Sequence, residues 1–167
     1  HNHVLAQCKL GFIYLIGKDI KRDINKAIYY LTMASKQNHS QAMFILGMIF
    51  SIGMYCTKDV IKGIDYFNRS SEKGCWAASF AVGYFYHEGK YVTRDINKSI
   101  VKYKYASSFN YKYAKNNLGV IYKNGIEGEI PKNIGYAEGY FIEAYKRFND
   151  PLSMYNLSHI YFYEYND

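Results

Sequence analysis

Between Ala6 and Gly17 apolar residues return every three or four positions (Ala6, Leu10, Ile13, Tyr14), which places them on one side of an α-helix. After a short polar stretch the rhythm resumes with Ala27, Ile28, Leu31 and Ala34. The pattern predicts two helices joined by a turn, and it recurs. "RDINKAIYY" (Arg22–Tyr30) returns as "RDINKSIVK" (Arg94–Lys102), and "KDVIKGIDY" starts midway between them at Lys58. The chain is therefore a repeat with a period of 36 residues.

Each copy carries the same landmarks. A Leu-Gly-type pair stands at Leu10-Gly11, Leu46-Gly47, Val82-Gly83, Leu118-Gly119 and Leu157-Ser158, spaced 36, 36, 36 and 39 residues apart. An aromatic follows three positions later (Tyr14, Phe50, Tyr86, Tyr122, Tyr161). Gly17, Gly53, Gly89 or Gly125 then closes the segment, with Glu164 in the last copy. Glycine tolerates the left-handed residue that ends a helix. Asp23, Asp59, Asp95 and Asn133 come next, and each can accept a backbone N–H to open a second helix. That second stripe returns in copy two as Gly63, Ile64, Phe67 and Ser70. Small Gly11, Ala27 and Ala34 let the paired backbones approach, while Tyr14 and Tyr30 fill the remaining space. Asp150-Pro151 reads as an N-cap followed by proline in the first turn. Copy four carries three extra residues, two of them in "IEGEIPKN" between its helices.

The string Ala-x3-Leu-Gly-x2-Tyr-x2-Gly followed by Asp-x2-Lys-Ala, seen in "AQCKLGFIYLIGKDIKRDINKA" (Ala6–Ala27), resembles the Sel-1-like repeat, a relative of the tetratricopeptide repeat. The resemblance implies an all-α fold, a right-handed α-solenoid of antiparallel helix pairs. It covers residues 1–167 as a single repeat domain, with repeats at about 6–41, 42–77, 78–113 and 114–152 and an unpaired helix at 153–167. Val82, Ser158 and Glu164 depart from the pattern. The family consists mainly of non-catalytic adaptors that assemble complexes. One acts in endoplasmic-reticulum quality control and others in bacterial signalling and host contact. The chain opens with "HNHVLAQ" and no initiator Met, which suits a piece of a longer protein.

Composition adds boundaries. Hydrophobic residues make up 49%, charged residues 21%, and only two prolines occur among 167 residues, so the chain is globular. Every apolar stretch is cut by Gly, Lys, Asp or Glu before it could cross a bilayer. Cys8, Cys56 and Cys75 are odd in number and fall at unrelated repeat positions, which reads as free thiols and a cytoplasmic setting. Sequons at Asn38, Asn68, Asn97 and Asn156 keep the endoplasmic-reticulum lumen as the alternative. The 20 tyrosines accompany a surplus of Ile, Asn and Lys, the output of an AT-rich genome, and carry no functional weight.

Candidate chemistry is sparse. Ser-x-x-Lys occurs at Ser70–Lys73 and Ser99–Lys102, but no Ser-Asp-Asn or Lys-Thr-Gly partner accompanies it. His1-Asn2-His3 could chelate copper or nickel through a free amino terminus, although a frayed end explains it as well. His39, His87 and His159 show no metal-ligand spacing. The expectation is a protein without enzymatic activity, cofactor or metal.

Two surface features point to binding instead. Part of the net charge of +7 is periodic, with Arg22, Lys58, Arg94 and Lys132 just before each second helix and Lys26, Lys62 and Lys98 four residues later. Stacked repeats would align them into a basic rim, suited to acidic flanks of a partner. No exposed aromatics are expected among these lysines, which argues against nucleic acid as the ligand. On a wheel of 100° per residue the core positions of the first helices cluster between about 200° and 300°, and a second set falls between about 40° and 140°. That second face should be polar if empty. It is largely apolar instead, with Leu5, Cys8, Phe12, Leu15 and Ile16 in copy one, Gln41, Phe44, Met48, Ser51 and Ile52 in copy two, and Ala77, Phe80, Tyr84, His87 and Glu88 in copy three. Only copy four turns polar, at Asn116, Lys123 and Asn124. Phe12, Phe44, Met48, Phe80 and Tyr84 are therefore candidates for a groove that binds a protein or peptide, the alternative being burial between adjacent first helices. Trp76 is either an anchor for a partner or a staple over the preceding turn. Tyr155, Phe162 and Tyr163 have no following helix to cover them here, so the expectation is self-association of this piece through the C-terminal helix, with the parent chain continuing past Asp167 or supplying a cap.

Overall fold

The computed structural model describes residues 2–18 and 20–165, the side chain of Asn2 excepted. Among the described residues the chain forms nine helices and no strand: α1 (Asn2–Ile16), α2 (Ile24–Lys36), α3 (Ser40–Ile52), α4 (Val60–Glu72), α5 (Trp76–Glu88), α6 (Ile96–Ser108), α7 (Lys112–Asn124), α8 (Ile134–Phe148) and α9 (Pro151–Tyr163). They form two compact units, residues 1–94 with α1 to α5 and residues 95–167 with α6 to α9.

Repeats one, two and four are antiparallel pairs, and hydrogen bonds at their ends show why. The N–H of the residue that caps the second helix donates to the carbonyl of the landmark aromatic: Asp23 to Tyr14 (3.1 Å), Asp59 to Phe50 (2.9 Å) and Asn133 to Tyr122 (2.8 Å). The same residues use their side chains to accept from Lys26, Lys62 and Tyr136 N–H at 3.0, 3.0 and 2.9 Å, and Asp95 does so from Lys98 at 2.8 Å. The N-caps read from the sequence are thus all in place. At the far end of repeat two, Ser70 Oγ donates to Ser40 O at 2.8 Å, tying the end of α4 to the start of α3. In repeat one Gln37 Nε2 donates to Gln7 Oε1 at 2.8 Å.

Glycine sets the distance between the paired helices. A Cβ on Gly11 would stand 2.6 Å from Leu31 Cγ, one on Gly47 2.6 Å from Phe67, and one on Gly119 2.5 Å from Phe141. The facing position on the second helix is small: Ala27 and Ala137 are fully buried, and a Cβ on Gly63 would meet Ser51 N at 2.7 Å. Beside each contact two rings lie parallel, Tyr14 on Tyr30, Phe50 on Tyr66 and Tyr122 on Tyr140, with centroids 5.8 to 6.0 Å apart.

The turn glycines serve twice. Gly17 has φ +69, and its missing side chain leaves room for Arg22, whose Cβ would otherwise be 2.7 Å away. Gly53 and Gly89 stand in the same relation to Lys58 and Arg94. The extra residues of copy four fold into a small loop at Gly125–Lys132, held by an isolated bridge between Ile126 and Ile130. Because Asn133 still reaches Tyr122, the pairing of α7 with α8 survives the insertion.

One expectation needs correction. Leu10 and Ile13, expected in the core, are 39% and 42% exposed, whereas their counterparts Leu46 and Ile49 are fully buried. The reason is the neighbour: α2 packs on α3, and no described helix precedes α1. A second periodic landmark went unread. Asn38, Gly74, Asn110 and Asn149 all adopt positive φ, between 48 and 82, where each second helix hands over to the next repeat. Asparagine and glycine are the residues that occupy this region at least cost.

The packing predicts opposite effects for two glycines of the same repeat. Gly119→Ala should cost about 1–3 kcal/mol, because Phe141 is fully buried and has nowhere to move. Gly139→Ala, on the open side of α8 with nothing within 4 Å of its Cβ, should gain up to about 1 kcal/mol. Urea unfolding of the two variants measures both.

Candidate functional site

The five groove candidates all lie in the first unit, on α1, α3 and α5. They do not share one environment. Phe12 and Tyr84, one residue after the landmark glycine, are 47% and 46% exposed. Leu5, Ile16 and Ile52 on the same face are 56%, 44% and 60% exposed. Phe44 and Phe80 occupy the position three before the glycine and are half-buried, as is Met48. Phe44 and Met48 pack against Phe67, Ala78 and Val82, and the Phe44 ring lies 5.8 Å from that of Phe67. The position three before the glycine is thus a lateral seam between successive first helices, while one residue after the glycine Phe12 and Tyr84 face outward and Met48, at the same position of α3, joins the seam. Between α1 and α3 this face carries a depression of about 240 Å³ lined by Cys8, Lys9, Phe12, Gln41 and Ile45. Trp76, at the first turn of α5, is 37% exposed.

In the second unit the same seam is polar and closed by hydrogen bonds. Asn116 Nδ2 donates to Asp150 Oδ2 at 2.9 Å, and Ser153 Oγ donates to Asn116 Oδ1 at 2.6 Å. Lys112 Nζ lies 3.0 Å from Asp150 Oδ1, and Ser153 N donates to Oδ2 at 3.0 Å. One turn on, Lys123 Nζ donates to Asn156 Oδ1 at 2.9 Å. Asn116, Asp150, Ser153 and Asn156 are all buried. Burial alone would raise the Asp150 carboxyl, but the bonds from Asn116, Lys112 and Ser153 outweigh it and hold the group well below the usual carboxylate range. Of the three polar residues of copy four, Asn116 and Lys123 are therefore the α7 half of a link to α9, while Asn124 is exposed. The signal for the other half was the matching polarity of Asp150, Ser153 and Asn156 in copy five.

The basic rim has its own structural work. Arg22 donates to the carbonyls of Leu15 and Ile16, both at 3.2 Å, capping the end of α1, and its guanidinium lies 4.1 Å from the centre of the Tyr55 ring. Lys132 pairs with Glu164 at 2.7 Å. Lys58 and Arg94 are exposed beside their turn glycines. Beside the lysines stand rings of the paired first helix, Tyr14 half-buried and Phe50 buried. Lys26 lies over Tyr14 (5.2 Å) and Lys62 over Phe50 (3.9 Å), while Tyr136 takes the lysine's place against Tyr122 in repeat four. These rings are engaged within their own repeat by a cation or a second ring.

The chemical motifs resolve into structure. Ser70 of the first Ser-x-x-Lys spends its hydroxyl proton on Ser40 O, and Ser99 of the second is fully buried. Among the described residues no group of three or more His, Cys, Asp or Glu is placed to hold a metal ion. His1 lies outside the described residues. No described helix is long and apolar enough to cross a membrane. Asn156 of the last sequon is buried at the polar seam. The three cysteines are free thiols, with Cys8 buried and its thiol pushed up by burial.

The model of the Sel1 repeat matches this chain five times, at residues 4–39, 40–75, 76–101, 112–147 and 151–165. The chain belongs to the Sel1 repeat family. Proteins built from Sel1 repeats are generally scaffolds for protein–protein interaction. Solved structures agree with the fold. A Sel1 repeat protein from Oxalobacter formigenes is 28% identical with a TM-score of 0.81, over 96% of this chain and 64% of that one. The c5321 protective antigen of uropathogenic Escherichia coli is 22% identical with a TM-score of 0.86, over 95% of this chain and 34% of that one. Helicobacter pylori cysteine rich protein B is 25% identical with a TM-score of 0.59, over 83% and 97% of the two chains. This chain thus spans less than two thirds of the length of the first two. Comparison with curated proteins gave no match.

Two measurements check this description. Because the folded Asp150 carboxyl sits below its unfolded value of about 3.9, its contribution to stability is complete above that pH and is lost as pH falls from there through the lower folded value. Asp150→Asn should lower stability at pH 7 by about 1–3 kcal/mol and flatten the acid limb of the stability curve below about pH 4. Parallel limbs for the two proteins would contradict the assignment. Thiol titration of the unreduced protein should count three groups, with Cys8 reacting last and Cys56 and Cys75 first.

Proposed function

We propose that this chain is a non-catalytic interaction scaffold that holds a peptide or helix of a protein partner on the outward face of α1, α3 and α5. Phe12 and Tyr84 are its contact residues, and Phe44, Met48 and Phe80 form the floor beneath them. The observation that supports this reading is the exposure of Phe12, Ile16, Ile52 and Tyr84 on one face, each 44% or more open to solvent. Apolar side chains left in water on a single face are the mark of a surface that a partner covers. An amphipathic helix or an extended peptide with spaced apolar anchors fits such a face. The depression beside Phe12 takes one anchor, and Lys9 at its edge meets a carboxylate. Of the basic rim, Arg22, Lys58 and Arg94 belong to the same unit as this face and orient acidic flanks of the partner, whereas Lys132 lies in the second unit, where Glu164 neutralises it.

Peptides selected from a displayed library against the full chain test the proposal. Phe12→Ser and Tyr84→Ser should each weaken the selected peptides at least about tenfold, equivalent to about 1.4 kcal/mol, with unfolding unchanged. Phe44→Ser should cost stability as well, by about 2–5 kcal/mol if its seam behaves as core. Affinity should fall with added salt as the rim is screened. Undiminished binding by both the Phe12 and Tyr84 variants would sink the reading.

A further inference from the structure

The turns that join the two helices of a repeat carry residues that the pairing does not require. The chain reverses at every link of the first unit, so the turns after α1, α3 and α5 emerge at the same end of it. The first turn touches the second, where the Arg22 guanidinium lies 4.1 Å from the centre of the Tyr55 ring. Across residues 17–22, 53–58 and 89–94 six exposed cations (Lys18, Lys21, Arg22, Lys58, Lys90 and Arg94) stand against one carboxylate, that of Asp19. Asp23 and Asp59, just beyond two of the turns, each spend a carboxylate oxygen on the backbone N–H of Lys26 or Lys62. Every one of these turns also lifts an apolar side chain into solvent, with Ile20, Tyr55 and Tyr91 39%, 56% and 37% exposed. Tyr55 does so from a left-handed backbone, φ +59, a conformation that only glycine and asparagine adopt elsewhere among the described residues. Repeat four shows that the fold asks for neither feature. Its turn, residues 125–132, sets Glu127 and Glu129 against Lys132, carries no aromatic, and still delivers Asn133 to Tyr122 O.

We propose that this end of the first unit rests on an anionic membrane surface, with Tyr55 and Tyr91 in the headgroup layer and the cations against the lipid phosphates and carboxylates. The mixture of side chains selects the partner. Cations alone would suit any polyanion, but an aliphatic tip such as Ile20 gains nothing from a phosphate backbone or a run of acidic residues. The boundary between headgroups and acyl chains accepts it. Tyrosine favours the same layer, where its ring is covered and its hydroxyl stays wet. Lysine and arginine fit beside it, their stems along the apolar boundary and their charges among the headgroups. Anionic lipid attracts each basic residue held near the surface, and the attraction fades within a Debye length. Cations gathered at one end of the unit therefore count for more than the same number spread over it. Only three apolar side chains enter, so the contact is peripheral and reversible. This inference does not rest on the groove, which keeps Phe12 and Tyr84 for a protein partner. The two surfaces share Arg22, Lys58 and Arg94, so an acidic flank and the membrane compete for them.

Flotation of the full chain with lipid vesicles tests the proposal. At about 0.1 M salt the protein should bind vesicles holding about 30% phosphatidylserine at least about tenfold more tightly than phosphatidylcholine alone, and about 0.5 M salt should release it. Lys58→Gln with Lys90→Gln should weaken binding at least about threefold, and so, separately, should Tyr55→Ser with Tyr91→Ser, all with helix content unchanged. In a Trp76→Phe background, Tyr55→Trp should give an indole that is quenched by lipids brominated on the acyl chain. Failure to bind anionic vesicles would overturn the proposal. So would an unquenched indole, or vesicle binding that ignores the tyrosine substitutions. Tighter binding of a single-stranded oligonucleotide or a polyglutamate peptide through the same lysines would assign this end to another polyanion and overturn it as well. Groove-selected peptides should bind the tyrosine variants as they bind the unaltered chain, which keeps failure here distinct from failure of the groove.

Discussion

Everything in this molecule depends on how closely two helices can approach where one of them has no side chain. Gly11, Gly47 and Gly119 each accept a bulky residue from the opposite helix against bare backbone. That contact fixes the offset at which the tyrosine of the second helix reaches the landmark aromatic, and at which the capping residue reaches its carbonyl. Relaxing the approach by one methyl would pull ring stack and cap out of register together. The coupling explains why the pairing absorbs an insertion in the loop of repeat four. The loop is constrained only at its ends, and both ends are set by the helices.

Much of this could be read from the sequence because the landmarks are local. Gly17 and Asp23 act on residues a few positions away, so their chemistry survives without knowledge of the tertiary fold. The exposure of Leu10 and Ile13 could not be read, since it depends on whether a neighbour stands on the open side of α1. The apolar second face shows the same divide. The helical wheel places Phe12 and Phe44 within one sector, yet one is nearly half-exposed and the other packs towards Phe67. A wheel gives direction from the axis and says nothing of how near the next helix stands. The lysine-over-ring contacts were missed for a related reason. Lys26 and Tyr14 come from different helices, and only their pairing brings them together.

The repeats share a backbone plan and differ in what they show to the outside. In the first unit the surplus is apolar and open, carried by Phe12, Ile52 and Tyr84. In the second unit the seam between α7 and α9 is spent on hydrogen bonds, and the apolar surface lies beyond it on α9.

The buried bonds of Asn116, Asp150 and Ser153 have a consequence during folding. In a chain of near-identical units, any first helix could settle in the place of another, and misassembly of this kind is a characteristic hazard of repeat proteins. An apolar seam such as that around Phe44 is forgiving about which apolar helix fills it. The polar seam is not: set against α3 or α5, Asp150 would lose its amide, its ammonium partner and the solvent at once. The last helix therefore carries an address, written in hydrogen-bond donors and acceptors, that α7 alone among the first helices can read.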